Sequence, residues 1–337
     1  MGKKLGKQTI LFENRPSVIG FFAIAGLKEG MGNFKDYFDM ILEDDLFGEK
    51  TFELAERKIF VETIKNAISK ANLSISDIDM LISGDLLNQI ISASFSAREL
   101  DLTYLGLYGA CSTMAETLAV GATIIDGNYM QNIACCTGSH FSSAERQYRF
   151  PLELGNQRPP TSQWTVTGSG CTIISNQPGK IRISSATFGK VVDYGINDVN
   201  NMGAAMAGSA MSTIKAHLED TCSKIEDYDL ILTGDLGKLG SEILVDLMEH
   251  EGYDMGEKYN DCGHMMFSDS QKTFQGASGA GCSAIVLNSY VFKKMLQGEY
   301  KRVLFCATGA LLSTLSSQQG ETIPGICHCV ELIRSED

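Results

Sequence analysis

The chain has 337 residues, 44% of them hydrophobic and 20% charged, with a formal net charge of −13. That length exceeds the ~250–300 residues at which one core usually splits, so two packed halves are expected. The acidic balance, with no basic patch beyond Lys3, Lys4 and Lys7 to offset it, argues against nucleic acid as a partner.

From the N-terminus, a basic arm to about Arg15 leads into a strand at 17–25. The stretch 34–46, rich in acidic and aromatic residues, reads as an insertion or lid-like segment. A long helix follows over 52–71 with Thr51 as N-cap, then a strand at 80–83 and a helix near 88–98. A short strand at 105–108 runs straight into Gly109-Ala110-Cys111-Ser112-Thr113. The helix at 112–126 is rich in small residues, hence buried, and ends at Gly127 as a C′ glycine. After a strand at 132–137, the segment 139–164 reads as a long polar loop carrying His140, Arg146 and Arg149. Strands at 165–175 and 180–190 flank a turn at Pro178-Gly179, which divides halves 1–178 and 179–337. The second half repeats the order and closes with a strand at 325–333.

The halves echo one another. Thr63-Ile64-Lys65 matches Thr213-Ile214-Lys215, and Gly84-Asp85-Leu86 matches Gly234-Asp235-Leu236 at the same offset. At a second offset, Ala110-Cys111-Ser112 answers Gly281-Cys282-Ser283, and Thr137-Gly138 answers Thr308-Gly309. Self-similarity on this scale is too long for a solenoid. It implies a duplicated α/β architecture about a pseudo-twofold axis. No apolar run approaches the ~18–20 residues of a membrane span, and the N-terminus lacks a signal-peptide core, so a soluble protein is expected. Ten cysteines without small-scaffold spacing suggest reduced thiols. Cys327-His328-Cys329 reads as a strand with both thiols in the core rather than as a metal site.

Cys111 carries the most chemical promise. It sits where a buried strand turns into a buried helix, and the first N–H groups and the helix dipole there favour a thiolate or a bound anion. A small core cysteine is the competing reading.

The strand–Gly-Ala-Cys-Ser-Thr–helix, the duplicated halves and the glycine-rich run Gln275 to Ala280 together resemble the thiolase superfamily, which includes the ketoacyl synthases. The resemblance covers about residues 52–333 and implies a layered α-β-α-β-α fold. In that superfamily a cysteine at the position of Cys111 is acylated, and two residues of the second half, His with Asn or two His, complete the site. Threading the pattern places Gly234 and Thr273 at those partner positions, and neither moves a proton at neutral pH. With the base absent, condensing chemistry is not expected. A retained cavity floored by a helix start suits a small anion.

Longer blocks, including Gln163 to Gly170, Thr233 to Lys238 and Ala307 to Leu312, resemble a sporulation-protein family of spore-forming bacteria with this fold. That resemblance implies a non-catalytic protein binding pyridine-2,6-dicarboxylic (dipicolinic) acid or its calcium chelate. It also implies work beside membrane proteins of a spore transport apparatus, peripheral to the spore inner membrane. No cofactor is expected, and Ca²⁺ enters only as part of the ligand.

Such a ligand is flat with two carboxylates. Cys111, with the N–H groups of Ser112 and Thr113, is the expected floor for one of them. Ser139 and His140 are candidates for either carboxylate, although His140 reads equally as a loop cap. Arg149, with Arg146, is a bidentate carboxylate binder or half of a surface ion pair. Trp164 either stacks on the ring or packs at an edge. Gly234, Asp235, Thr273 and Ser278 complete the expected wall, Asp235 being the one suited to touch Ca²⁺. Two alternatives stand: an acyltransferase or thioesterase using Cys111, and a docking partner with a vestigial pocket. A homodimer is expected to pair through the strand at 165–175.

Overall fold

The computed structural model describes residues 3–149 and 151–335. Its first half supplies strands β1 (Ser17–Ala25), β2 (Met80–Gly84), β3 (Tyr104–Gly106), β4 (Asn132–Ser139) and β5 (Gly168–Ser175). The second half supplies β6 (Ile181–Thr187), β7 (Leu230–Thr233), β8 (Tyr259–Asp261), β9 (Arg302–Ala310) and β10 (Gly325–Arg334). The strand order is β3-β2-β4-β5-β1 in one half and β8-β7-β9-β10-β6 in the other. Each outer trio is parallel, and the pairings β4–β5, β5–β1, β9–β10 and β10–β6 are antiparallel. The two sheets join where Val18 and Ser17 of β1 pair with Ile181 and Arg182 of β6, which also pairs with the N-terminal strand Thr9–Leu11. The repeated motifs of the sequence therefore occupy matching positions in matching sheets.

Helices follow the same duplication. α1 (Phe52–Lys70) and α2 (Ile91–Leu100) cover the outside of the first sheet, and α5 (Met202–Thr221) and α6 (Gly237–His250) cover the second. α3 (Thr113–Asp126) and, after the short α7 (Cys262–Met266), α8 (Ala280–Val286) are the inner helices. α3 touches both sheets, and α8 packs on β1, β4 and β5 while its Cys282 Sγ reaches the Gly234 carbonyl beyond β7 at 3.4 Å. α8 then continues through a π-turn, Leu287–Val291, into Phe292–Gln297. Burial on two sides explains the Ala, Gly, Ser and Thr of these inner helices, since larger side chains would push the sheets apart. Thr51 caps α1, its Oγ1 accepting from the Leu54 N–H at 3.3 Å.

Four expectations change. The segment 34–46 is no lid: Phe34, Phe38 and Leu42 are buried, and Met40–Ile41 pairs with β1. The loop expected over 139–164 contains α4 (Phe141–Tyr148). Its serines weaken helix propensity, and packing against the outside of the pocket overrides that weakness. Gly127 ends α3 with φ −76, and the left-handed residue is Asn128 at φ 57. Most consequential, β5 is paired along both edges, to β4 and to β1. A homodimer cannot extend its sheet through that strand. Cys327 and Cys329 do face the core, where the Cys329 Sγ lies 2.8 Å from the Cys306 Sγ.

One buried polar network ties β6, α5, β9 and β10 together. The Glu331 carboxylate accepts from Ser184 Oγ (2.6 Å), Tyr228 Oη (3.1 Å) and Arg302 Nη2 (3.0 Å), with His217 Nε2 at 3.4 Å. Burial pushes this carboxyl up, but the His217, Arg302 and Ser184 contacts outweigh burial and hold it at about 2. A depressed carboxyl contributes fully above its unfolded value of ~4.3 and loses its contribution as pH falls through the folded value. We therefore expect Glu331→Gln to cost about 3 kcal/mol near neutrality, because a partner of a buried pair is removed. Urea denaturation across pH should show the gap between parent and variant closing between pH ~4 and ~2.

Candidate functional site

The approach to α3 is built by hydroxyls. β3 ends at Gly106, and a single 3-10 turn, Ala110–Ser112, delivers the chain into the helix. Ala110 adopts φ +51, a left-handed conformation that costs an alanine about 1–2 kcal/mol. Ser112 Oγ donates to Gly109 O (2.7 Å), and Thr113 Oγ1 donates to Ala110 O (2.7 Å) while accepting from Gly109 N (3.1 Å). Ser112 is thus a backbone clamp rather than a free donor. The turn is held from the other half by β9. A Cβ placed on Gly309 would lie 2.3 Å from Gly109 O and 3.0 Å from Ser112 N, so only glycine permits this approach.

Cys111 is buried there. Burial pushes its thiol well above the ordinary value, and the neighbouring Asp235 carboxyl pushes it further. The thiol donates toward Asp235, which also accepts from Thr308 Oγ1 (2.8 Å) and the Gly279 N–H (3.0 Å). Burial raises Asp235 to about 7, against the lowering effect of those hydrogen bonds. The arrangement favours a protonated sulfur, the reverse of a nucleophilic cysteine.

Beside the thiol lies a small cavity of about 40 Å³, well below the ~300–1,000 Å³ usual for small-molecule sites, so a ligand larger than a few waters must widen it. Its walls are largely apolar: Leu86, Ala144, Met202, Ala310 and Leu312. Besides Thr165, three polar elements break that surface. Ser278 is buried, and its Oγ has no hydrogen-bond partner among the described residues. Tyr108 and Tyr148 join hydroxyl to hydroxyl at 3.0 Å. Arg149, whose side chain is only 7% exposed, is paired with Glu145 one turn earlier.

The structure unites Cys111, Asp235, Ser278 and Arg149 and separates the other sequence candidates. His140 spends both ring nitrogens: Nδ1 accepts from Ser142 N (3.2 Å), and Nε2 donates to Asp45 O (2.7 Å). It is the N-cap of α4. Ser139 Oγ donates to Val166 O (2.7 Å) and accepts from Gly281 N (3.0 Å), pinning α8. Trp164 is stacked on Phe141 with centroids 3.7 Å apart, and Lys28 Nζ sits 3.8 Å from its ring centre, so its π-surface is occupied. Arg146 pairs with Glu53. Gly234 turns away, a side chain there meeting Thr308 N at 2.9 Å, and the residue facing Cys111 is Asp235. Thr273 lines a different hollow with Lys238 and His264. The cavity wall on that side is made by Ser278 and by Gly279, whose N–H donates to Asp235 (3.0 Å).

Sequence reasoning missed Tyr108, Tyr148 and Met202. The signal for the first was present, a large aromatic three residues before Cys111. The other two depend on how α4 and α5 dock.

Two mirrored sheets, paired inner helices and a cysteine at the start of one of them define a thiolase-fold protein. Solved structures agree. 3-Oxoacyl-[acyl-carrier-protein] synthase III of Aquifex aeolicus VF5 superposes with a TM-score of 0.59 at 14% identity, over 94% of this chain and 99% of its own. OleA of Xanthomonas campestris gives 0.62 at 14% identity, over 96% of this chain and 99% of its own. Within that fold, residues 6–333 match the family described as Stage V sporulation protein AD. The Stage V sporulation protein AD of Bacillus subtilis (strain 168) is 45% identical over 333 residues, 99% of this chain and 98% of that protein. The chain belongs to this family of sporulation proteins.

The electrostatics yield a direct expectation. Of the ten cysteines, only Cys222 is exposed. Iodoacetamide at pH 7.5 should label Cys222 rapidly and Cys111 slowly, as read by peptide mass spectrometry. Asp235→Asn removes the charge opposing the thiolate and should speed labelling of Cys111 several-fold. A Cys111 that reacts as fast as Cys222 in the parent would refute the protonated-thiol assignment.

Proposed function

We propose that this protein binds dipicolinic acid, free or as its calcium chelate, without transforming it. It does so as the ligand-binding member of an apparatus that moves the compound into the developing spore and releases it at germination. Its partners in that reading are membrane proteins of the spore, which it meets peripherally at the inner membrane. Among the described residues no helix is long and apolar enough to cross a membrane, which is compatible with that arrangement.

The observation that carries the reading is the polar pattern of the Cys111 cavity. Apolar walls suit a flat aromatic ring, the buried Arg149 suits a carboxylate, and the unpartnered Ser278 hydroxyl supplies a further hydrogen bond. The tyrosine pair takes the ring-facing role that the sequence offered to Trp164. A chain of net charge −13 disfavours a free dianion at long range, yet the buried guanidinium acts locally and the calcium chelate is neutral.

A second reading, acyl transfer through Cys111, draws on one observation: Asp235 sits where a base would be needed. The energetics oppose it. Moving the proton from a thiol raised far above its usual value to a carboxyl near 7 is strongly uphill. Acyl transfer from a coenzyme A thioester, abolished by Cys111→Ser, would establish that reading instead.

Calorimetric titration with dipicolinic acid, with and without Ca²⁺, is the decisive measurement. Cys111→Leu fills the cavity floor and should weaken binding at least tenfold, about 1.4 kcal/mol. Cys111→Ala should do much less. Arg149→Gln removes the cation facing the carboxylate and should also cost tenfold or more. Circular dichroism must show each variant folded. Unchanged affinity in Cys111→Leu would put the ligand elsewhere.

A further inference from the structure

Arg149 borders more than the Cys111 cavity. Its guanidinium also lines a second, roomier hollow, of about 170 Å³, between α4 and the 151–159 segment. Asn200 closes it opposite, two residues before the Met202 that walls the inner cavity. The two spaces are neighbours sharing Arg149.

The charges lining the outer hollow do not balance. Glu145 is its single acid, and one oxygen of that carboxylate, Oε1, serves two cations, Arg149 and Arg158, the latter at 3.3 Å. Two guanidiniums against one carboxylate leave an excess of one positive charge, half-buried in a strongly acidic protein. Arg149 is 93% buried, carries five N–H donors, and has Glu145 as its hydrogen-bond acceptor among the described residues. Arg158 is held in place by the Gln163 carbonyl and by the Phe141 and Trp164 rings, 5.6 and 5.2 Å away, so it is preorganised. Desolvated cations with unused donors facing a cavity call for an anion.

We propose that the outer hollow is a second binding compartment for a small carboxylate, with Arg158 as its own cation and Arg149 shared with the inner cavity. A carboxylate completes the pairing that Glu145 leaves short. Because both ligands draw on Arg149, filling the inner cavity weakens the outer one, and the outer compartment serves as the station through which a carboxylate reaches Cys111. The inner half of this arrangement rests on the dipicolinate reading; the outer half does not.

The test is a calorimetric titration of the full chain with pyridine-2,6-dicarboxylate. The parent should bind two molecules, the second at least tenfold more weakly. Cys111→Leu should keep only the outer event. Arg158→Gln should keep only the inner one, and so should Asn200→Trp, which blocks the hollow without touching either arginine. Asn200→Trp covers the case in which Arg158→Gln loosens the 151–163 segment, a loss that circular dichroism and melting would show. One event per chain, abolished by Cys111→Leu and indifferent to Arg158→Gln and Asn200→Trp, overturns the outer compartment and leaves the inner reading intact. Binding that survives Cys111→Leu unchanged but is lost in Arg158→Gln supports the outer compartment and removes the inner one. No binding to the parent overturns both.

Discussion

The site exists because β9 comes within touching distance of the turn that starts α3. Gly309 has no side chain, so its backbone lies against Gly109, Cys111 and Ser112, a space that a single methyl group would fill. That approach brings a strand of one half onto a helix start of the other. It also shuts water away from the thiol and from Asp235. Desolvation is the largest influence on both groups, raising each in the same direction. The character of the pocket is thus a consequence of packing before it is one of residue identity.

Placing a carboxyl against a buried thiol has a chemical meaning. A base that becomes cationic when it takes the proton would leave an ion pair and stabilise a thiolate, whereas a carboxylate offers only repulsion to one. Asp235 instead receives the S–H, a Thr308 hydroxyl and the Gly279 N–H, and so orders three elements around one point. Around that point the fold holds a small, partly apolar cavity with a buried cation at its side, and the fold by itself does not decide the chemistry done there.

The duplication shapes the remainder. The duplicated sheets bury the inner helices α3 and α8, which accounts for their small residues. It also leaves β5 without a free edge. A sheet-extending contact through β5 is therefore closed. The polar network around Glu331 answers a separate need in the second half, neutralising a largely buried carboxylate among β6, α5, β9 and β10.

The sequence alone determined most of the elements and their order, α4 and the strand at Met40–Ile41 excepted, because period-2 and period-3.6 patterns, the Thr51 cap and the repeated Gly-Asp-Leu motifs are local signals. It also determined that Cys111 opens a buried helix, since the small residues of 112–126 admit no other reading. What it could not reach was direction. At the end of β7 one residue decides which side chain faces the thiol, and Gly234 and Asp235 exchange roles on that step. His140, Ser139 and Trp164 are polar or aromatic and close to the pocket along the chain. Each is nevertheless consumed by a neighbour that only folding supplies: the Asp45 carbonyl, the Val166 carbonyl and the Phe141 ring. Arg149 looked like its companion Arg146 in sequence, yet α4 buries one and leaves the other at the surface. Composition and periodicity are properties of a segment and survive without the rest of the protein. A binding site is a set of side-chain directions drawn from five or six segments, and those directions are settled only when the two halves close on each other.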